Sequence, residues 1–411
     1  MPDGWRDLRI SDLAEWRGGM TPSMSRADFW QNGDIPWLSS KEITGGVLRT
    51  SEKTVSALAL KETGLRLVPA GSVAIVVRSG ILVHTFPVAY VPFDVTVNQD
   101  VKIGTPRPGV DGRFLAYLLE SMQAEVLARY RKTGTTVQSL NVPALLAHRV
   151  WLPPLDVQRR IVDLVGHLDA LLMGHDTELT ALRDTLNAML ERMRGDMTFE
   201  TSVALGSLTS PRSGASWSAK DETSEGATDT SPVVKITNTK PDGSMDLREL
   251  MHVRGLSKSV SRLDDRSLVL IRTNGNRARI GNVYRPPMRA YGAAVSAFQF
   301  SAQFESTRTR DWVYWWLRHP RMQTAMSEAA SGSTGLGNLS AGWLKALQIP
   351  TPSVETRDEW IELLDSAETA LRRSSDSIAA LREGRSALLT AVLSGAVGIS
   401  ESYDSLLGAV A

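Results

Sequence analysis

The side chains best suited to catalysis are absent or badly spaced. His84, His148, His167, His175, His252 and His319 are scattered with no metal-ligand spacing, and there is no cysteine to act as nucleophile, zinc ligand or disulfide partner. Gly332 and Gly337 have the glycine spacing of a phosphate-binding loop, but Asn338 and Leu339 follow where lysine and a hydroxyl residue are needed. Arg285-Pro286-Pro287-Met288 lacks both the polar and the aromatic residue of an amino-methyltransferase signature. No Asp…Glu-x-Lys arrangement of a nuclease is recognisable on adjacent strands. What remains is recognition chemistry. Arg272-Thr273-Asn274-Gly275-Asn276-Arg277 follows an apolar run and offers two guanidinium groups and two carboxamides. Arginine pairs with guanine edges and asparagine with adenine edges in a DNA major groove. An Asn-Gly hairpin turn with solvated arginines is the competing reading.

Other polar loop positions beside apolar runs extend this candidate set. In the first half they are Ser40, Lys41, Arg78, Ser79, Lys132, Thr133, Thr135 and Thr136. In the second half Lys235, Asn238, Ser333 and Thr334 join the 272–277 segment. For an isolated residue such as Lys41, a solvated surface role is the simpler reading.

The elements that must position these residues occur twice. Gly134-Thr135-Thr136 leads to Trp151-Leu152-Pro153-Pro154-Leu155 and then to a long Leu-rich helical pattern, about 157–197. Gly332-Ser333-Thr334 leads to Gln348-Ile349-Pro350-Thr351-Pro352 and a second such pattern, about 354–393. Pro153 faces Pro350 and Val157 faces Val354, both 197 positions on, and Ser72–Val77 faces Ser267–Ile271. A period of that size is a duplicated domain, not a solenoid repeat. Short β-branched runs (72–77, 88–91 and 101–103; 233–236, 268–271 and 297–300) precede helical patterns at 113–130 and 311–330. The expected class is α+β, with two tandem mixed domains. Trp312, Tyr314, Trp315 and Trp316 could stack on bases, but their counterparts Phe114, Tyr117, Leu118 and Leu119 mark the segment as core.

Leu168, Leu172, His175, Leu179, Leu182, Leu186, Met189 and Met193 step alternately by 4 and 3. That is a coiled-coil seam. In the second copy Leu371, Ile378, Leu381, Leu388 and Val392 continue a seam broken by Ser374 and Arg385, and such polar breaks can fix register. About 40 helical residues make a rod of roughly 60 Å. The chain must travel out along one rod and back along the other, so an antiparallel pair is expected, in preference to helices that each pack on their own domain.

The net charge of +1 hides a division. Residues 1–154 hold 17 Lys/Arg against 14 Asp/Glu and residues 198–352 hold 19 against 13, whereas 155–197 hold 5 against 8 and 353–411 hold 5 against 10. Basic heads suit a polyanion, although excesses this size occur in many non-binders, and acidic helices suit a protein partner or plain solvation. No apolar run of membrane-spanning length and no signal-peptide core is present, and the missing cysteines fit a reducing cytoplasm.

Together these segments resemble the DNA-specificity subunit of type I restriction-modification systems. The resemblance is carried by Ile35-Pro36-Trp37-Leu38-Ser39-Ser40-Lys41-Glu42-Ile43, Val97-Asn98-Gln99-Asp100-Val101-Lys102, Gly134-Thr135-Thr136-Val137-Gln138-Ser139-Leu140 and Leu152-Pro153-Pro154-Leu155-Asp156-Val157-Gln158-Arg159-Arg160-Ile161-Val162. The second copy departs at Glu355-Thr356-Arg357, and its counterpart of the Asn-Gln-Asp-Val segment is not recognisable. The resemblance implies target-recognition domains at 1–152 and 198–350, spacer helices at 153–197 and 351–397, and a tail at 398–411. It further implies a non-catalytic chain that binds double-stranded DNA. Two modification subunits would dock on it and carry S-adenosylmethionine, and restriction subunits would join where present. A two-headed protein scaffold, a sequence-nonspecific DNA clamp and an unrecognised nuclease or methyltransferase are the competing classes.

Overall fold

The computed structural model describes residues 3–132, 137–197, 201–224, 227–332 and 335–399. The chain forms two compact units. The first holds Met1–His175 and Ser377–Ala411, the second Asp176–Asp376. Both follow one plan. In the first, a four-stranded antiparallel sheet runs Ala14–Gly18, Val101–Pro106, Ser72–Val76, Val88–Val91. In the second, the order is Arg212–Ser213, Gln299–Gln303, Ser267–Ile271, Val283–Tyr284. A second, mixed sheet accompanies each, with three strands in the first unit and four in the second. Ile35–Leu38 lies parallel to Thr96–Val97, and Thr230–Val234 parallel to Ala294–Val295.

The central strand of each unit is buried on both faces, which is why it reads as a continuous apolar run. Side-chain alternation divides it. Val73 and Ile75 enter one core and Ala74 and Val76 another, just as Leu268 and Leu270 separate from Val269 and Ile271. A close backbone approach is also duplicated. A Cβ on Gly19 would lie 1.7 Å from the Val97 carbonyl oxygen, and one on Gly214 would lie 2.2 Å from that of Val295. No larger residue fits at either point.

The helical patterns at 113–130 and 311–330 are each two helices, not one. Gly112–Ser121 gives way to Gln123–Arg129 at Met122. Thr307–Arg318 gives way to Pro320–Glu328, where proline cannot continue a preceding helix. Trp312, Tyr314, Trp315 and Trp316 are buried core, not a stacking platform. Two expected strand segments also differ. Ile236 starts a 3-10 turn, Ile236–Asn238, and Ala297-Phe298 precedes its strand.

The long helices span Leu155–Gly195 and Val354–Leu393. The start of the first and the end of the second belong to one unit, and the remaining portions belong to the other, so the pairing within each unit is antiparallel. Ile378 and Val392 are buried and Leu168, Leu172, Leu381 and Leu388 half-buried in the first unit. Leu179, Leu186 and Met193 are buried and Leu182, Met189 and Leu371 half-buried in the second. The helices do not rely on each other alone, however. Ile161 and Val165 share a core with Phe114 and Leu118, and Trp360, Ile361 and Leu364 share one with Trp312 and Trp316. Toward the globular parts the seam therefore widens into a face.

Polar locks fix both junctions. Tyr117 and Tyr314 lie at corresponding places in the two copies. The Tyr117 hydroxyl donates to Asp169 at 2.7 Å, and the Tyr314 hydroxyl donates to Glu368 at 2.6 Å. Burial, followed by the hydrogen bond to Asp169, pushes the Tyr117 phenol well above its usual range. The arginines differ between the copies. In the first unit Arg385 comes from the opposing helix and pairs with Asp169 and with Glu120, the latter at 2.7 Å. In the second, Arg285 and Arg318 come from the globular part, and Arg285 also meets Asp311 and Asp365. Burial alone would raise the Glu368 carboxyl, but Arg318, Arg285 and Arg372 outweigh it and hold it below the usual carboxylate range.

Candidate nucleic-acid interface

The end of each central strand is organised by one backbone hub. In the first unit the N–H groups of Val77 and Arg78 both donate to the Asp100 carbonyl, at 2.8 and 3.3 Å. In the second, Arg272 and Thr273 both donate to the Phe298 carbonyl, at 2.9 and 3.1 Å. Leu140 N–H then donates to the Val77 carbonyl, and Leu339 N–H to that of Arg272, both within 2.9 Å. These shared bonds equate Asp100 with Phe298 and Val77 with Arg272. They also supply the missing counterpart of the Asn98-Gln99-Asp100 segment, which is Ser296-Ala297-Phe298. Sequence comparison could not find it, because the match lies in main-chain hydrogen bonds and not in side chains.

Around the first hub, Arg78 is exposed and donates from Nε to Asp100 Oδ1 at 2.6 Å. Ser79 is half-buried and caps the 3-10 turn Gly80–Val83. Lys132 is exposed on the short strand Arg131–Lys132, paired with Ser139–Leu140. Ser40 and Lys41 lie elsewhere, on a turn pinned by Glu42. Its carboxylate accepts from Ser39 N–H at 2.8 Å and from Glu52 N–H at 2.8 Å. Lys41 is exposed and Ser40 half-buried. Thr133, Thr135 and Thr136 lie outside the described residues, as do Ser333 and Thr334 in the second copy.

Around the second hub the polar side chains are tied down more heavily. Arg272 donates to Asn338 Oδ1 at 3.0 Å and to Ser213 Oγ at 2.8 Å, and lies over the Phe300 ring at 5.4 Å. Thr273 also donates to Asn338 Oδ1, at 2.8 Å. Asn274 Oδ1 accepts from Asn276 N–H, and Asn276 in turn caps the turn Arg277–Arg279. Arg277 donates to the carbonyls of Ala330 at 3.2 Å and Gly332 at 2.6 Å. The segment is therefore not an Asn-Gly hairpin. Thr273–Asn274 pairs with the distant Gly337–Asn338, and a 3-10 turn follows. Among the described residues, two of the five donors on each arginine bond within the protein. Asn276 and Arg277 are exposed.

One expected contact residue is corrected. Asn238 is 6% exposed, and its amide is fully occupied. Oδ1 accepts from Lys235 N–H at 2.9 Å, while Nδ2 donates to the carbonyls of Asp246 and Glu249 at 2.9 and 3.0 Å. Asn238 plays in the second unit the pinning role of Glu42 in the first, and Lys235, half-buried, begins that turn. The sequence reading also passed over Gln99, exposed beside the first hub, and Phe298, 52% exposed at the second. No cluster of His, Asp or Glu among the described residues could hold a metal ion, and no helix among them is long and apolar enough to cross a membrane.

The chain is thus a duplicated α+β protein with a polar loop cluster at the end of each central strand. Residues 2–181 match the family described as type I restriction modification DNA specificity domain. The specificity subunit of the type I restriction enzyme EcoR124I/EcoR124II of Escherichia coli is 33% identical over 167 residues, 41% of each chain. The MjaIX specificity subunit of Methanocaldococcus jannaschii is 26% identical over 178 residues, 42% of this chain and 39% of that protein. The alignments thus span about two fifths of these relatives. The fold extends further. The crystal structure of a type I S subunit from M. genitalium superposes with a TM-score of 0.55 at 14% identity, over 94% of this chain and 95% of that one. A chain from a study of complex assembly and conformational transition in a type I system gives 0.56 at 16% identity, over 96% and 98%. Residues 2–181 are thus similar to a type I restriction modification DNA specificity domain, and nearly the whole chain shares the fold of these S-subunit structures.

Proposed function

We propose that this chain is the non-catalytic, sequence-reading subunit of a cytoplasmic type I restriction-modification complex. Residues 1–152 and 198–350 each read one half of a bipartite double-stranded DNA target. The helices at 153–197 and 351–397 set the gap between the halves and dock two modification subunits. Those subunits hold S-adenosylmethionine and methylate adenine, and restriction subunits join the same assembly where present. The observation that carries this reading is the duplicated hub, one scaffold built twice with different side chains around it. Two different readers on one chain need a target with two different halves. Basic heads and exposed Arg78, Lys132 and Arg277 suit phosphate and base contacts. The test is co-expression with a modification subunit and single-molecule sequencing of the methylated DNA. A two-part motif with a fixed gap is expected, and replacing residues 198–350 should change one half only. A stable complex that methylates no such motif would refute it.

A further inference from the structure

We propose that Phe298 reads the C5 methyl group of a thymine in the half-site engaged by the second unit. The inference rests on the two-headed DNA reader proposed above and names a feature of its substrate. It starts from the equivalence of the hubs. At the position whose carbonyl ties the central strand to its loop, the first unit places Asp100, whose carboxylate is paired with Arg78. The residue before it is Gln99, exposed, with its amide oxygen accepting from Thr21 at 2.8 Å. The second unit places Ala297 and Phe298 at these two positions. The first hub thus presents hydrogen-bonding groups where the second presents a hydrocarbon ring.

That ring has no evident folding role. Phe300, two residues on, is fully buried in the core, as is Phe304, whereas Phe298 lies just past the end of the sheet and is 52% exposed. A second exposed apolar side chain, Leu336 at 56%, directly precedes Gly337, which pairs with Asn274. Apolar surface and hydrogen-bond donors therefore occur together here: Phe298 and Leu336 beside Arg272, Asn276 and Arg277. In the major groove only thymine offers a matching pair of features, a methyl group next to the O4 acceptor. Cytosine presents an amino donor and no methyl group. The internal bonds of Arg272 and Arg277 hold the donors in place, so the apolar contact is made without the guanidinium groups collapsing onto the ring.

The experiment uses the full chain assembled with its modification subunits, on duplexes carrying the mapped target. Each thymine of the target, on either strand, is replaced singly by deoxyuridine, which deletes only the methyl group. One thymine, in one half-site, should be sensitive, with binding weakened about 4-fold, the value of one buried methyl group. Phe298→Ala should weaken binding to the thymine duplex by a similar factor and abolish the thymine–deoxyuridine difference at that position. Its response to changes in the other half should match that of the unaltered chain, and Phe298→Leu should keep part of the discrimination. Indifference to every deoxyuridine, a second-unit half-site without thymine on either strand, or a Phe298→Ala chain that still discriminates would each overturn the inference. Failure of the two-headed reading looks different. No bipartite motif is then methylated by the unaltered complex, and the inference falls with it.

Discussion

Removing the carboxylate from each Tyr–carboxylate–Arg lock should have unequal consequences. Glu368 is 9% exposed and accepts from Tyr314 while pairing with Arg285, Arg318 and Arg372. Glu368→Ala leaves Arg285 with Asp311 and Asp365, but leaves the Arg318 guanidinium, itself only 20% exposed, with no carboxylate among the described residues and only the neutral Tyr314 hydroxyl to accept from it. Breaking a buried pair from one side costs about 3–5 kcal/mol, because the remaining charge is neither solvated nor paired. Asp169 is 32% exposed, and when it is removed Arg385 still has Glu120. Asp169→Ala should cost only about 1–2 kcal/mol. Hydrogen exchange read by mass spectrometry on the intact chain resolves the two units without assuming a single unfolding transition. Opening free energies should fall across Thr307–Arg318 for Glu368→Ala, and less steeply across Gly112–Ser121 for Asp169→Ala. Equal losses in the two variants, or a loss below about 1 kcal/mol for Glu368→Ala, would refute the reasoning from burial. The pH dependence has a definite sign. The folded Glu368 carboxyl lies below its usual value, so its contribution is present above the ordinary glutamate range and is lost as the solution is acidified through and below it. Glu368→Gln should flatten that acid limb.

His319 is fully buried beside Glu191, Arg194 and Arg321, and desolvation, reinforced by the two arginines, lowers its pKa despite Glu191. The neutral ring is the folded form, so stability of the second unit should fall as pH drops below the ordinary histidine value, and thermal melts of His319→Gln should lose that slope. Asn238→Ala should cost about 1–3 kcal/mol through three lost buried hydrogen bonds, measurable by denaturation, with no change in the methylated motif. A changed motif would return Asn238 to the reading surface. Lys132→Ala should weaken binding to all sequences alike and reduce the slope of log affinity against log salt by about 1. Sequence-selective loss would instead place Lys132 at a base edge.

How far the sequence could be read depended on which groups carry each feature. The duplication, the α+β class and the long helices were legible, because apolar periodicity and the Pro-rich junctions are properties of side chains in order along the chain. The packing at the helix ends was less so. Ile161 and Val165 continue the alternating steps back from Leu168, as Trp360 and Leu364 do through Ala367 from Leu371, but spacing alone does not show that they face a domain core instead of another helix. Arg385 was visible as a break in the seam, but its partners Glu120 and Asp169 were not, since nothing local ties them together. Asn238 was misplaced for a related reason. An asparagine near a strand end looks the same whether its amide faces solvent or closes a turn onto Asp246 and Glu249.

The loop clusters were the least legible part, and the hubs explain why they had to be. Both hubs are built from main-chain donors and acceptors: Val77 and Arg78 onto Asp100, and Arg272 and Thr273 onto Phe298. A main-chain hydrogen bond makes almost no demand on the side chain of the residue that offers its carbonyl. Positions 99 and 100 can therefore be Gln-Asp in one unit while 297 and 298 are Ala-Phe in the other, with the scaffold intact in both. The same freedom erases any sequence match between the two loops and lets the two heads present different surfaces. A protein that reads two unlike half-sites from one duplicated fold needs variation in side chains at positions fixed by backbone. The pairs Asp100/Phe298 and Gln99/Ala297 are where this chain has that arrangement, so exchanging these two residues between units should alter recognition before it alters the fold.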